Sequence, residues 1–184
     1  GHAQVSVNEV ENWVGNGIDL LVRRALAYGD EDKALAISQD NLTAARVFFD
    51  KAYLEVLSRA TGVFPGVQAW LDQTSTPKVL ITNKARKFTE PLLVGLGWES
   101  QFVQVICGDD LAEKKPSPMP LLHACTTQQI APENTVMIGD SRHDIGAAKA
   151  AGIRCVAVTY GYNHGRSVAD FSPDFVVDSL AELL

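Results

Sequence analysis

An α/β fold is predicted by this sequence: a parallel sheet flanked by helices, with a small all-helical segment in front. Three observations carry the prediction. Short, continuous apolar runs recur after residue 66, at Val79-Leu80-Ile81, Phe102 to Cys107, Val136-Met137-Ile138, Cys155 to Val158 and Phe175-Val176-Val177. Segments with helical spacing lie between them, near residues 86–96, 118–129, 143–151 and 178–184. Before Gly62-Val63-Phe64-Pro65-Gly66 the pattern is helical with no convincing strand. Continuous rather than alternating runs predict strands covered on both faces, the mark of a parallel sheet between helix layers.

The first helix is announced by Ser6 with Glu9 three residues on, a capping-box signal ahead of Val10, Trp13 and Val14. Gly15-Asn16-Gly17 stops it. A second helix is predicted from Ile18 to Tyr28, with Leu21, Val22, Ala25 and Leu26 on one face and Gly29 as its stop. A third helical region runs from about Asp32 to Arg59, carrying Ala36, Val47, Phe48, Tyr53, Leu54 and Leu57. In the sheet that follows, the ends of two apolar runs carry polar motifs, Thr82-Asn83-Lys84 and Gly139-Asp140-Ser141-Arg142-His143-Asp144. Ligands of open parallel sheets sit beyond the carboxyl ends of the strands, so these distant motifs can meet around one ligand.

Composition excludes several classes of function. The chain has 184 residues, 46% of them hydrophobic and 21% charged, as expected of a globular protein of one domain with a small appendage. A net charge of −6 argues against a nucleic-acid partner, which demands a basic face. No apolar run approaches the roughly 18 residues of a membrane span, and no signal-peptide pattern opens the chain. Cys107, Cys125 and Cys155 sit in or beside apolar stretches, which predicts buried thiols and a cytoplasmic protein. Gly1-His2 has the look of a tag remnant.

Each motif has a plain reading beside a chemical one. Thr82 and Asn83 suit a helix cap, and equally a phosphate seat of hydroxyl, amide and backbone N–H groups. Lys115, before Pro116, is either a solvated loop lysine or a point charge on a transferring phosphoryl group. Asp140 and Asp144 can cap the helix beginning near His143, or Asp140 can hold Mg2+, which needs only one or two carboxylates beside water and substrate oxygens. His123 and His143 are assigned to surface or packing, and no Cys/His cluster has zinc spacing. Asp109-Asp110 are assigned to a turn before the lysine loop. The signals gain force together, because a hydroxyl and amide, a lysine and paired carboxylates in this order are the needs of a magnesium-dependent phosphoryl-transfer site.

These residues resemble the haloacid dehalogenase superfamily of phosphatases: Thr82-Asn83-Lys84 its second motif, Lys115-Pro116 its third, Gly139-Asp140-Ser141 with Asp144 its fourth. The resemblance implies a helical cap over residues 3–63 and a Rossmann-like core over 64–184. It also implies phosphate binding by Thr82, Asn83 and Lys115, Lys115 as the catalytic lysine, Mg2+ on Asp140, and Asp144 supporting the metal shell and the lysine. Trp13-Val14-Gly15-Asn16-Gly17 and Thr159-Tyr160-Gly161-Tyr162-Asn163 resemble the phosphoglycolate-directed branch of that family. Gly15, Asn16 and Gly17 would then form a cap loop that closes on the substrate, a small phosphorylated metabolite.

One departure is as specific as the match. Family members open with a strand ending in Asp-x-Asp-Gly-Thr, whose first Asp attacks phosphorus, and the 184 residues contain no such motif. The resemblance places that strand in mid-sheet, between those ending at Thr82 and Gly139, so its absence predicts a gap of roughly 10 Å between their edges. The expected outcome is a chain inactive by itself, open to strand donation or self-association. Two alternatives stand beside the hydrolase: a non-catalytic remnant that binds phosphate or a partner chain, and another small sugar-phosphate phosphatase or phosphomutase.

Overall fold

In the computed structural model, residues 4–14, 17–60, 62–161, 163 and 166–184 are described. The chain divides into two compact units, residues 1–60 and 61–184. The first unit is all helical: α1 Val7–Trp13, α2 Ile18–Leu26, α3 Glu31–Ala36 and α4 Gln39–Ala60. Ser6 and Glu9 form the expected capping box, the Ser6 N–H donating to Glu9 Oε2 at 2.8 Å and the Glu9 N–H to Ser6 Oγ at 3.3 Å. After α2 the chain turns at Gly29 with φ +83, where a Cβ would lie 3.0 Å from the Trp13 ring. Only glycine meets both demands.

The single helical region expected from Asp32 to Arg59 is two helices. Asp30 caps α3 by accepting from the Lys33 N–H at 3.1 Å. Ile37 leaves helical geometry, and the Arg23 guanidinium donates to its carbonyl. Ser38 Oγ then accepts from the Asn41 N–H at 3.3 Å, opening α4. Trp13, Val22, Ala27, Ala34, Leu42 and Leu57 make the unit's buried core. Val47 and Phe48, two of the apolar residues of that region, are 66% and 77% exposed.

The second unit alternates helices and strands: α5 Val67–Gln73, β1 Val79–Ile81, α6 Arg86–Leu96, β2 Gln104–Ile106, α7 Met119–Gln128, β3 Val136–Gly139, α8 Arg142–Ala151, β4 Arg154–Val158 and β5 Phe175–Val177. The last element is a 3-10 turn at Leu180–Leu183 rather than an α-helix. There the Glu182 N–H bonds back three residues to the Ser179 carbonyl at 3.1 Å, the tighter spacing of that helix type. Helix α5 was not anticipated. It starts from Gly66 in the left-handed region with no side-chain cap, so the sequence carries no start signal for it.

All described strand pairs are parallel, in two sheets: β1-β2, and β3-β4-β5. Val79 pairs with Gln104 and Ile81 with Ile106; Val136 pairs with Arg154 and Gly139 with Ala157. Strands β1 and β3 are therefore each terminal in their sheets. That corrects the expectation of strands covered throughout: beyond its Arg154 only β4, the central strand, is fully buried, while β1, β3 and β5 stay partly exposed. The main core joins α7, α8 and β4 through Leu121, Cys125, Ile145, Ala147, Ala148, Cys155 and Ala157. Alanines on α8 bring the helix close to β4, which carries the loops at the strand ends to one place. Among the described residues, no helix is long and apolar enough to cross a membrane.

Candidate active site

The carboxyl ends of β1 and β3 are joined by one side chain. Lys115 is buried, and its Nζ donates to the Ile81 carbonyl at 2.5 Å and to Asp144 Oδ1 at 2.6 Å. The plain reading of a solvated loop lysine therefore fails. Backbone groups alternate along a strand, and the Thr82 N–H already bonds across to Ile106 of β2 at 2.9 Å. The Ile81 carbonyl thus projects from the other edge of β1, which has no strand partner among the described residues, and there the lysine satisfies it.

Thr82 and Asn83 follow that carbonyl. Thr82 Oγ1 accepts from the Lys84 N–H at 3.1 Å, turning the chain off the strand, and Asn83 Nδ2 donates to the Lys115 carbonyl at 2.8 Å. Asn83 itself stays exposed. The three phosphate-binding candidates are therefore brought together at one strand end.

Asp144 lies in the first turn of α8. Its Oδ2 accepts from the Asp140 N–H, the Ser141 N–H and the Ser141 hydroxyl, at 3.2, 3.1 and 2.7 Å. Burial pulls its carboxyl up, but the Lys115 ammonium and these donors outweigh it and hold the group below the usual carboxylate range. One side chain thus fulfils both readings, capping the helix and holding the lysine. Asp140 has the opposite environment. Desolvation first, then the neighbouring Asp144, pushes its carboxyl up, even though one face meets solvent.

Close packing at each strand end rests on a glycine. A Cβ on Gly108 would lie 2.2 Å from the Asn83 carbonyl oxygen, one on Gly139 2.3 Å from Asp144 Cβ, and one on Gly161 2.2 Å from Asp140 Cβ. Gly139 was noted from sequence; Gly108 and Gly161 were not given this role. Each comes within three residues of the end of an apolar run, and that is the signal that would have found them. Ser141 was also without a role, although the Ser-x-x-acid spacing to Asp144 has the form of a capping box. Gly15 and Asn16 of the expected substrate loop lie outside the described residues, and Gly17, with φ +94, is the N-cap residue just before α2.

Among the described residues no group of three or more His, Cys, Asp or Glu could hold a metal ion. Mg2+ asks for less, because water and substrate complete its shell. Asp140 suits it: an acidic side chain whose ionisation is opposed by burial and a second carboxylate gains most from a nearby cation. His123 is exposed and His143 half-buried. Asp109 and Asp110 fix the turn after β2, accepting from the Arg86 and Cys107 N–H groups at 2.8 and 2.7 Å. All three cysteines are buried and unbridged.

Comparison with known proteins bears on family and fold. The family model described as haloacid dehalogenase-like hydrolase matches residues 2–158. Phosphoglycolate phosphatase 1 of Pseudomonas aeruginosa is 43% identical over 188 residues, covering 100% of this chain and 68% of that relative. Phosphoglycolate phosphatase of Nitrosococcus oceani is 44% identical over 178 residues, 95% of this chain and 78% of the relative. A crystal structure of a predicted phosphoglycolate phosphatase from Haemophilus somnus superposes with a TM-score of 0.88 at 31% identity, covering 98% of this chain and 81% of the other.

Proposed function

The chain belongs to the haloacid dehalogenase-like hydrolases, and on that footing we propose that it is the body of a Mg2+-dependent phosphatase for a small phosphomonoester, 2-phosphoglycolate first among candidates. The observation that carries the reading is the Lys115 ammonium, buried between the Thr82-Asn83 strand end and the Asp140-Asp144 loop. A phosphoryl group seated there meets a hydroxyl, a carboxamide and a fixed positive charge. Such a cradle takes up the charge that spreads over the equatorial oxygens during transfer.

The chain's own residues divide the work. Thr82 and Asn83 seat and orient the phosphoryl group; Lys115 neutralises it; Asp144 holds the lysine in place. Asp140, with Asp144 behind it, would hold Mg2+, which when bound supplies Lewis-acid polarisation of a phosphoryl oxygen. The attacking carboxylate of the family mechanism belongs to an Asp-x-Asp-Gly-Thr motif that the 184 residues do not contain. The unpaired edges of β1 and β3 offer a place for a parallel strand bearing it, donated by a longer form of this protein or by a second chain. The phosphoglycolate-named relatives favour 2-phosphoglycolate over sugar phosphates. Three buried, unbridged cysteines favour a cytoplasmic site of action.

The test is phosphate release from a panel of small phosphomonoesters, run on this chain and on a form carrying the motif strand. We expect inorganic phosphate to bind this chain without turnover, and the longer form to hydrolyse 2-phosphoglycolate with Mg2+. Preference for a sugar phosphate moves the substrate assignment. Phosphate binding that survives Lys115→Met and Thr82→Val overturns the site.

A further inference from the structure

Asn163 lies beyond β4, some twenty residues from the Asp140 loop in sequence, yet it is buried to 9% exposure against that loop. Its Nδ2 donates to the Asp140 carbonyl, and its Oδ1 accepts from the Arg142 N–H at 3.0 Å. One carboxamide thus spans the turn between β3 and α8, engaging the peptide groups on either side of Ser141. The orientation of the amide is fixed by its partners, because a carbonyl oxygen needs a donor and an N–H needs an acceptor.

The other side of the same loop is held by Asp144, through the Asp140 and Ser141 N–H groups. Asp140 is therefore gripped by its N–H from one direction and its carbonyl from the other. Both bonds use its backbone, so they place the carboxylate without consuming it. Gly161 completes the arrangement: only without a Cβ can the β4 loop come close enough for Asn163 to reach, since that atom would lie 2.3 Å from the Asp140 carbonyl oxygen.

We infer that Asn163 is a positioning residue for the divalent-cation site, fixing the direction of the Asp140 carboxylate by holding the Asp140 carbonyl and the next peptide N–H, that of Arg142. No side chain but a carboxamide of this length serves both partners. A hydroxyl reaches one of them, and a carboxylate would face the Asp140 carbonyl with no proton to give. Groups that orient a metal ligand typically change metal affinity 10- to 100-fold when removed, although they never touch the ion. The inference rests on the reading of Asp140 as a cation ligand, and its test separates the two.

The experiment titrates the 184-residue chain with Mn2+ by calorimetry, and separately with inorganic phosphate in the absence of metal. Asn163→Leu keeps the branched shape and removes both bonds; Asn163→Ser keeps polarity and is the second variant should the first fail to fold. The expected result is a Mn2+ affinity lowered at least ~10-fold in a folded variant, with phosphate affinity within about twofold of the parent. Hydrogen exchange at the Arg142 amide should accelerate while that of Val156 in β4 does not. A merely structural role would lower both affinities together. Unchanged Mn2+ affinity, in a chain where Asp140→Asn abolishes it, overturns the inference alone. If the parent chain takes up no Mn2+, or Asp140→Asn takes up as much, the cation-site reading fails and this inference falls with it.

Discussion

The ammonium of Lys115 stands 2.6 Å from the Asp144 carboxylate, with only about a tenth of either side chain open to water. Asp144 belongs to α8 of the larger sheet, while the second partner of the lysine, Ile81, closes β1 of the smaller one. The pair thus ties two sheets that share no strand ladder among the described residues. A buried pair of this kind stabilises little compared with apolar residues in its place, but removing one member strands a buried charge.

A double-mutant cycle follows from that asymmetry. Lys115→Met and Asp144→Leu should each cost on the order of 3 kcal/mol, and the double variant clearly less than their sum. Urea unfolding of the four proteins measures it. Additive costs would show that the pair is not coupled.

Asp140 gives a pH dependence of defined sign. Its raised carboxyl binds a proton more tightly in the folded than in the unfolded chain, so the ionised form opposes folding once the pH climbs above the ordinary value of 3.8. Asp140→Asn should therefore raise the melting temperature at neutral pH. The rise should be on the order of 1–2 °C, kept small by water on the exposed face. The difference should close as the pH falls toward 3.8. Mg2+ should stabilise the parent chain and leave the variant unmoved.

Asp110 should behave in the opposite sense. The Arg86 guanidinium, ahead of the Cys107 N–H, holds its carboxyl below the ordinary value of 3.8. Its contribution is present above that value and is lost as the pH falls through the lowered one. Asp110→Asn should thus destabilise the chain at neutral pH, with the gap narrowing only under strong acid. Denaturation profiles at several pH values test this; a gap that widens in acid refutes it.

Two glycine substitutions should separate the halves of the site. Gly108→Ala forces a methyl against the Asn83 carbonyl and should weaken inorganic phosphate binding about 10-fold or more. Gly161→Ala forces one against Asp140 and should weaken Mn2+ while sparing phosphate. Each should also cost roughly 1–3 kcal/mol of stability as an overpacked contact. Binding titrations on both variants decide it.

Local signals reached far along this chain. The end of α6 at Gly97, the position of β1 and the capping box at Ser6 follow from spacing and cap residues that act over a few positions. Signals of the same short range also existed for the break before α4, at Ser38, and for Ser141 with Asp144. Helix α5 had none, because a glycine without a side-chain cap begins it. Burial was the weaker inference. A continuous apolar run shows that a strand suits a core, but whether both faces and both edges are covered depends on neighbours distant in sequence, as β1 and β3 demonstrate.

By itself the sequence determined the alternation of elements, the parallel sheet and the residue types gathered at the strand ends, since side-chain period and cap chemistry act within one or two turns of chain. Only the tertiary structure decided how those residues differ. Asp140 and Asp144, four positions apart, have carboxyls displaced in opposite directions: Lys115 lies against Asp144, whereas Asp140 is raised first by desolvation and then by its neighbour's negative charge. Asn163 acquired its place in the same way, through Gly161 and the close approach it permits. Electrostatic environment depends on distance in space, and in this chain the meeting of the loops that follow β1, β3 and β4 sets that distance.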